Sequence, residues 1–256
     1  MSTQIIQTQF KRIETKYIID KAILPQLEEE LKAHLKADEF AESTITNVYF
    51  DNKDFDMIQD SIAKKNSREK VRMRLYDAKP NAKSEAFLEV KKKEDGVGFK
   101  YRLTTNPISA ERFVTKGITD QALVDGLDHS IVDDKVNAEL TQLRKRYGNI
   151  KPMMYIYYDR KSYKGIADKK VRVTIDQNLL YRDENVSATA GKYGQDLLDP
   201  TKVIMEIKVP GEQPDWLANI LAKYNIIQQS FSKYGTAYRL SKNLSKEEVY
   251  LARNLI

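Results

Sequence analysis

The chain has 256 residues, of which 41% are hydrophobic and 31% charged, and its formal net charge is +6. It contains no cysteine, which excludes disulfides, thiolate metal sites and cysteine nucleophiles. Its only histidines, His34 and His129, lie far apart in polar, helix-like sequence, so neither a Ser-His-Asp triad nor a histidine-built metal site is expected. A bound metal is therefore expected on carboxylates and substrate oxygens, which suits Mg²⁺ or Mn²⁺.

The sequence carries no sign of export or membrane insertion. It has no apolar run near the roughly 18 residues that a membrane-spanning helix needs, and its first residues lack the basic and apolar regions of a signal peptide. We therefore expect a cytoplasmic protein without direct membrane insertion. The basic balance predicts a polyanionic partner, which leaves nucleic acid, an anionic membrane and a phosphate compound as candidates.

The first hundred residues are predicted to consist mainly of β-strands. Alternating, β-branched and aromatic stretches predict strands at 10–19, 44–50, 69–77, 85–93 and 99–103. Between the first two strands, Leu24, Leu27 and Leu31 recur at helical spacing and predict a helix over residues 20–35. A short helical piece is expected at 55–64.

The middle of the chain is predicted to be a helical insert at about 109–148. Its first helix begins at Ser109, and a second is capped by Thr119. Asp133 or Asp134 caps a third helix, whose apolar residues again recur at helical spacing.

Strands are predicted to return after the insert, at 153–160, 170–176, 179–182 and 202–209, with a turn at Gln177-Asn178 between the second and third. Residues 183–200 are polar and predicted as a loop, residues 230–235 as a short polar-aromatic segment. Helices are expected at about 214–224 and 245–254. Because strands with the same alternation of charged and apolar residues flank the insert, we predict a single domain over residues 1–256. Its strands are expected between about residues 10 and 240.

Several strands carry charge at alternate positions. In the stretch from Lys70 to Asp77, Arg72 and Arg74 share one face and lie roughly 6.6–7 Å apart along the strand. Guanidiniums so close repel each other unless an anion lies over them, and arginine is well shaped to grip phosphate oxygens. For any one such strand, the alternation is also explained by a sheet whose charged face is exposed to solvent.

The recurrence of the pattern favours a different interpretation for the set. Arginines recur at spacing two, and Glu-x-Lys occurs at 14–16, 89–91 and 206–208. Such faces turned inward would form a closed barrel with a charged lumen, which water or a polyanion must fill. A cationic tunnel with a few glutamates is suited to a metal-bound triphosphate.

Seven short motifs follow one another in a fixed order: Arg12-Ile-Glu-Thr-Lys16-Tyr17, Asn47-Val-Tyr-Phe-Asp51, Lys70-Val-Arg72-Met-Arg74, Leu88-Glu-Val-Lys91, Tyr158-Asp-Arg160, Met205-Glu206-Ile-Lys208 and Phe231-Ser232-Lys233-Tyr234. Their order and spacing, from about Phe10 to Leu240, resemble the VTC domain. This is the polyphosphate polymerase domain of vacuolar transporter chaperones and belongs to the CYTH-like, triphosphate tunnel metalloenzyme superfamily. The resemblance implies an α+β fold, an eight-stranded antiparallel β-barrel that encloses a triphosphate tunnel with a charged lumen and flanking helices.

The resemblance also implies roles for individual residues. The catalytic, phosphate-binding cations fall on Lys16, Arg72, Arg74, Lys91 and Arg160. Further substrate-binding residues fall on Lys100, Tyr158, Lys208, Ser232 and Lys233. The metal-binding glutamate, for Mn²⁺ or Mg²⁺, falls on Glu206, with Glu14 or Glu89 as additional ligands.

The implied reaction is that of an ATP-polyphosphate phosphotransferase. The γ-phosphoryl group of ATP passes to an inorganic polyphosphate chain, with pyrophosphate or phosphate as the primer, and ADP is released. The chain departs from the family at two positions. Arg12 replaces one carboxylate of the superfamily's Glu-x-Glu-x-Lys motif, and Ser230 replaces a phosphate-binding lysine. Any link to a membrane would require a partner protein.

Three alternatives use the same cations. A tunnel triphosphatase would hydrolyse tripolyphosphate or a nucleoside triphosphate with a positioned water. A non-catalytic module would bind polyphosphate or an inositol phosphate without turnover. Nucleic-acid binding also follows from the basic charge, but the chain carries no nucleic-acid motif, so no nucleic-acid partner is predicted.

Overall fold

The computed structural model describes residues 13–117 and 134–244. In these residues the chain forms an antiparallel β-sheet with flanking helices, which confirms the predicted α+β class. The strands are β1 Ile13–Asp20, β2 Leu35–Asp51, β3 Ser67–Leu75, β4 Ala86–Glu94, β5 Val97–Thr105, β6 Lys151–Gly165, β7 Arg172–Arg182, the two-residue β8 Gln195–Asp196, and β9 Lys202–Val209. The helices are α1 Leu24–Leu31, preceded by a 3₁₀ turn at Lys21–Ile23, α2 Asp56–Ile62, α3 Pro107–Lys116, α4 Asp134–Tyr147, α5 Asp215–Lys223 and α6 Lys233–Ser241.

The strands are hydrogen-bonded in the order β1-β9-β7-β6-β2-β3-β4-β5, and β8 pairs with β7. This order is a path that ends at β1 and β5, and hydrogen bonds among the described residues do not close it into a ring. The sheet thus has eight principal strands, as predicted, whereas the enclosed tunnel stays a prediction.

The described residues fall into two compact units built from interleaved segments. The first unit contains residues 13–42, 160–177 and 199–230. The second contains residues 43–117, 134–159, 178–198 and 231–244. The single domain over residues 1–256 stays a prediction.

In the first unit, the core combines apolar side chains of β1, β7 and β9 and Leu35 of β2 with those of α1 and α5. Leu24, Leu27 and Leu31 of α1 recur at helical spacing and are all buried. Leu217 and Ile220 present the corresponding stripe of α5. These helices therefore cover the apolar face of β1, β7 and β9 and leave the alternate, charged positions of the strands on the other face.

In the second unit, the part of β3 from Val71 to Leu75 is largely shielded from solvent on both faces. Val71, Met73 and Leu75 lie in a core that also includes residues of α2, α3 and α4. On the opposite face, the side chain of Arg72 is 12% exposed and Arg74 is 8% exposed. Both arginines are therefore largely shielded from solvent on the face opposite the apolar core, and that this face lines a closed barrel stays a prediction.

Several element boundaries differ from the sequence predictions. The helix predicted over 20–35 ends at Leu31, and β2 begins at Leu35 and continues unbroken through the predicted strand 44–50. No turn occurs at Gln177-Asn178, because β7 runs through both residues with Asn178 at a φ of 54°, a value that asparagine tolerates better than most residues. The helix predicted from Ser109 starts at Pro107 instead, since Asn106 provides the cap by accepting a hydrogen bond from the Ser109 amide.

Residues 233–241 form α6, where only a short polar-aromatic segment was predicted. The polar sequence of this segment does not show the apolar spacing that predicts a helix. In the structure, Ser232 caps the helix by accepting a hydrogen bond from the Gly235 amide. The predicted sites at Arg12, Thr119 and His129, and the helix predicted at 245–254, lie outside the described residues. None of the helices among the described residues has the length and apolarity to cross a membrane.

Candidate anion-binding site

The second unit carries a concentration of cations on one face of β3, β4 and β5, called the basic face below. Directly opposed residues of an antiparallel ladder point to the same side, so the strand registers define this face as a set of rows. The rows are Arg74-Phe87-Thr104, Arg72-Glu89-Arg102, Lys70-Lys91-Lys100 and Arg68-Lys93-Gly98.

Glu89 lies at the centre of the basic face and is fully buried. Its Oε2 accepts a hydrogen bond from Arg72 Nε at 2.6 Å and contacts Arg72 Nη2 at 2.5 Å. Its Oε1 contacts Lys100 Nζ at 2.8 Å and Arg102 Nη2 at 2.7 Å. Burial by itself would raise the pKa of Glu89, but Arg72, Lys100 and Arg102 outweigh it and hold that pKa well below its usual range. One carboxylate thus faces three cations, which leaves an excess of positive charge.

Arg74 occupies the most enclosed row of the basic face. Its Nε donates to Asn47 Oδ1 at 2.9 Å, and its Nη2 donates to the Tyr158 hydroxyl at 3.0 Å. Both contacts use neutral acceptors, so the positive charge of Arg74 is oriented but not neutralised by them.

The excess of positive charge perturbs two further groups. Burial would raise the pKa of Tyr49, but Arg72 and Arg74 lower it to about 8, and Arg72 Nη1 donates to the Tyr49 hydroxyl at 3.4 Å. Lys91 has an exposed side chain, yet the loss of bulk water around its ammonium and the like charge of Arg72 lower its pKa to about 8. Both shifts are those expected where a site favours negative and disfavours positive charge.

Helix α6 presents its first residues to the same unit. Lys233 Nζ lies 4.5 Å from the centroid of the Tyr158 ring, a cation–π contact. The buried ring of Tyr234 stacks on Tyr49 with their centroids 4.5 Å apart. Its hydroxyl donates to Asp51 Oδ2 at 2.9 Å.

Asp51 connects α6 to α2. Its carboxylate accepts hydrogen bonds from the amides of Met57 and Ile58, each at 3.0 Å, in the first turn of α2, as well as from the hydroxyl of Tyr234. The pKa of Asp51 is raised to about 6 because complete burial outweighs these hydrogen bonds. Asp51 therefore fixes Tyr234, and through it the start of α6, beside the basic face.

The first unit contains a separate cluster of two glutamates and two lysines on β1 and β9. In the ladder, Glu14 lies opposite Lys208, and Lys16 lies opposite Glu206. Lys16 Nζ is 3.2 Å from Glu14 Oε1 and 3.9 Å from Glu206 Oε2. Lys208 contacts Glu206 and lies 3.7 Å from Glu14 Oε2. Each of the two lysines therefore contacts both carboxylates.

Arg160, also in the first unit, forms a two-pronged ion pair with a buried carboxylate. Its Nε donates to Asp176 Oδ1 at 2.6 Å, and its Nη2 donates to Asp176 Oδ2 at 2.8 Å. This geometry fixes the plane of the guanidinium. Asp176 was not singled out by the sequence because its partner lies on a different strand.

The glutamate–lysine cluster is the part of the structure that best suits a divalent metal. Among the described residues, no group of three or more histidine, cysteine, aspartate or glutamate side chains is placed to hold a metal ion. Mg²⁺ in phosphate enzymes commonly uses only one or two carboxylates plus phosphate oxygens, and Glu14 and Glu206 supply such a pair. Glu89 fits less well, since it is fully buried and three cations contact it, whereas the side chain of Glu14 is 44% exposed. Its role as a metal ligand stays a prediction.

The predicted site residues are divided between the two units. The first unit holds Glu14, Lys16, Arg160, Glu206 and Lys208. The second unit holds Arg72, Arg74, Glu89, Lys91, Lys100, Tyr158, Ser232 and Lys233. Ser232 acts in the structure as a helix cap, and its role in substrate binding stays a prediction.

Tyr49, Asn47 and Arg102 contact the predicted residues Arg72, Arg74 and Glu89 but were not themselves predicted to have a role. Tyr49 and Asn47 lie two apart on β2, and Arg102 lies two after Lys100 on β5. The alternation that identified Arg72 and Arg74 was thus present for these residues as well. Tyrosine and asparagine carry no charge, however, so a pattern of alternating charge does not single them out.

These features define a class: an antiparallel β-sheet protein with flanking helices and a cationic sheet face. The chain belongs to the VTC domain family, which matches residues 11–242. It is similar to vacuolar transporter chaperone complex subunit 4 of Schizosaccharomyces pombe, with 23% identity over an alignment 269 residues long that covers 89% of this chain. The alignment covers 37% of that subunit, so the chain spans little more than a third of its length.

One solved structure supports the fold. A protein of Bacillus halodurans, provisionally named an adenylate cyclase, superposes with a TM-score of 0.51 and 15% sequence identity. The match covers 86% of this chain and 93% of the other. At this identity the likeness concerns the fold alone.

Proposed function

We propose that the protein is a polyphosphate polymerase, which transfers the γ-phosphoryl group of ATP to the end of an inorganic polyphosphate chain. The observation that carries the proposal is the basic face, where Arg72, Lys100 and Arg102 share the single carboxylate of Glu89. Membership of the VTC domain family supports the same substrate class. In the reaction, an oxygen of the acceptor's terminal phosphate forms a bond to the γ-phosphorus. The bond from that phosphorus to the β–γ bridging oxygen breaks, and ADP leaves.

The side chains present are of the kind that this transfer requires. The attacking phosphate oxygen is already anionic, so no histidine or cysteine base is needed, and catalysis rests on positioning and electrostatics. We assign the binding of the transferred group to Arg72, Arg74 and Lys91, whose N–H groups suit its non-bridging oxygens. The remaining phosphate-binding residues of the proposal are Lys16, Lys100, Tyr158, Arg160, Lys208, Ser232 and Lys233.

Glu206 and Glu14 are the proposed ligands of Mn²⁺ or Mg²⁺. A divalent ion bound there would neutralise charge on the phosphate oxygens of ATP. Lys16 and Lys208 hold the two carboxylates in place, since each lysine contacts both.

The proposal is tested by the products that the protein forms from ATP and Mn²⁺. We expect ADP and an equivalent amount of phosphate in acid-insoluble chains, with pyrophosphate or phosphate shortening any initial lag as primer. Release of orthophosphate without chains would show a triphosphatase instead. Tight binding of polyphosphate without any turnover of ATP would show a binding module.

The binding of tripolyphosphate should weaken as the pH rises from about 7 to about 9. Lys91 is charged below its pKa of about 8 and neutral above it, and Tyr49 becomes anionic over the same interval. Both changes remove net positive charge, and losing one charged hydrogen bond corresponds to roughly a tenfold loss of affinity. Calorimetric titration at several pH values measures the effect.

The matched control for this prediction is the double variant Lys91→Arg/Tyr49→Phe. The two new side chains keep the size of the site but do not titrate in this pH interval. The ionisation of the ligand is the same for both proteins and cancels in the comparison. An equal pH dependence in the double variant and the parent would contradict the assignment to these two residues.

The relative in S. pombe is by name a subunit of a complex, which supports a partner protein for this chain as well. The cytoplasmic location and any membrane partner stay proposals.

A further inference from the structure

The basic face continues beyond the cations assigned to the transferred group. Its outermost row consists of Arg68, Lys93 and Gly98, one row further from Glu89 than Lys70, Lys91 and Lys100. Arg68 donates one N–H group to the carbonyl of Lys65, and a guanidinium has five such donors. Lys93 is exposed. This outermost row has no role in the transfer proposed above.

From the row of Arg74 to the row of Lys91, the number of cations and their exposure to solvent both increase. The row of Arg74 has one cation and is the most enclosed, and the next row has two cations with Glu89 between them. The row of Lys91 has three cations, of which Lys100 is 49% exposed in its side chain. The basic face therefore opens to solvent at the end that points toward the β4–β5 turn, while its positive charge persists.

Two of the carboxylates near this end, those of Glu69 and Glu94, lie on the opposite side of the strands, and Asp95 lies in the β4–β5 turn itself. Glu94 is 3.0 Å from Lys92, and Lys92 is directed to the face that does not carry Lys93. Glu69 likewise pairs with Arg146 and Tyr147 on that opposite face. The carboxylates of Glu69 and Glu94 therefore do not neutralise the charges of Arg68 and Lys93.

We propose that Arg68 and Lys93 bind phosphates of the polymer that lie beyond the length of a triphosphate, so that the outermost row is an extension of the binding site for long chains. Along the strand, Arg68 is about 13–14 Å from Arg72, which is longer than an extended triphosphate. A triphosphate held at Arg72 therefore reaches the row of Lys91 but not the row of Arg68. The inference rests on polyphosphate being the ligand of the proposed function.

A bare phosphate chain fits these rows better than a single-stranded nucleic acid. The residues of the two outer rows are five cations and one glycine, without an aromatic side chain. Binding of single strands draws on aromatic platforms for the bases as well as on cations. Cations without aromatic side chains for base stacking favour a bare phosphate chain over a nucleic acid.

The test compares two double variants with the same change in net charge. Arg68→Gln/Lys93→Gln alters the outermost row, and Lys79→Gln/Lys83→Gln removes two exposed lysines from the loop between β3 and β4. Dissociation constants are measured for tripolyphosphate and for a chain of about one hundred phosphates, without ATP or turnover. We expect the first variant to bind the long chain about tenfold more weakly than the parent, which is roughly what two exposed charged contacts supply. It should bind tripolyphosphate as tightly as the parent does. The loop variant should bind both ligands like the parent.

Two results would overturn the inference: an unchanged affinity of the first variant for the long chain, or an equal loss for both ligands. Thermal unfolding checks that both variants are folded. Since the measurement needs no catalysis, its outcome is separate from that of the proposed function. A parent that binds long chains through the outermost row but forms none from ATP would refute the polymerase alone. A parent that forms chains without using this row would refute the inference alone.

Discussion

Replacing Arg72 by glutamine should lower the rate of ATP-dependent chain formation by about 10²–10³-fold, the range seen when a donor to a developing anion is removed. Arg72 is the cation that connects most parts of the site, since it contacts both Glu89 and the hydroxyl of Tyr49. Glutamine retains a hydrogen-bond donor but removes the charge. Initial rates of acid-insoluble phosphate formation measure the effect.

The fold should tolerate this change, because Glu89 keeps its contacts with Lys100 and Arg102 and is not left as an unpaired buried charge. Arg112→Gln is the matched control, since Arg112 is an exposed residue of α3. A rate within a few-fold of the parent for Arg72→Gln, with normal thermal unfolding, would remove Arg72 from the proposed machinery.

Glu206→Gln should reduce chain formation by about 10²-fold and weaken the binding of Mn²⁺, since metal ligation in phosphoryl transfer contributes several kcal/mol to the transition state. Glu206 is 8% exposed, and both lysines of its cluster contact it. Losing its charge leaves Glu14 as the only carboxylate of that cluster. Electron paramagnetic resonance of free Mn²⁺ during a titration reports metal binding without reference to activity.

Glu212→Gln provides the comparison, because Glu212 is an exposed glutamate shortly after β9. If Glu206→Gln bound Mn²⁺ like the parent and lost activity, the residue would act through Lys16 and Lys208 rather than on a metal. If it lost neither, the metal site would have to be sought elsewhere.

The alternation of the strands was the most informative feature of the sequence. In β3 and β9 the charged and apolar positions have a period of two, and β9 has the predicted bounds of residues 202–209. Alternation also identified Arg72 and Arg74, since a buried apolar face at Val71 and Met73 fixes the direction of the other face.

Contacts between residues distant in sequence could not be predicted in the same way. The bond between Tyr234 and Asp51 joins residues 183 positions apart, and it holds α6, whose own sequence from Lys233 to Ser241 contains Gly235 and Thr236. Such a helix depends on tertiary packing more than on intrinsic propensity. The pairing of Arg160 with Asp176 likewise became visible only once β6 and β7 were placed side by side.

Glu89 has a consequence for the thermodynamics of substrate binding. A long side chain that becomes immobile on binding costs about 0.5–1.5 kcal/mol of affinity, and a phosphate-binding site of flexible cations would incur this cost at every encounter. Here Arg72, Lys100 and Arg102 are already held by the one buried carboxylate. Glu89 thereby moves the entropic cost of ordering these three side chains from each binding event to the single event of folding.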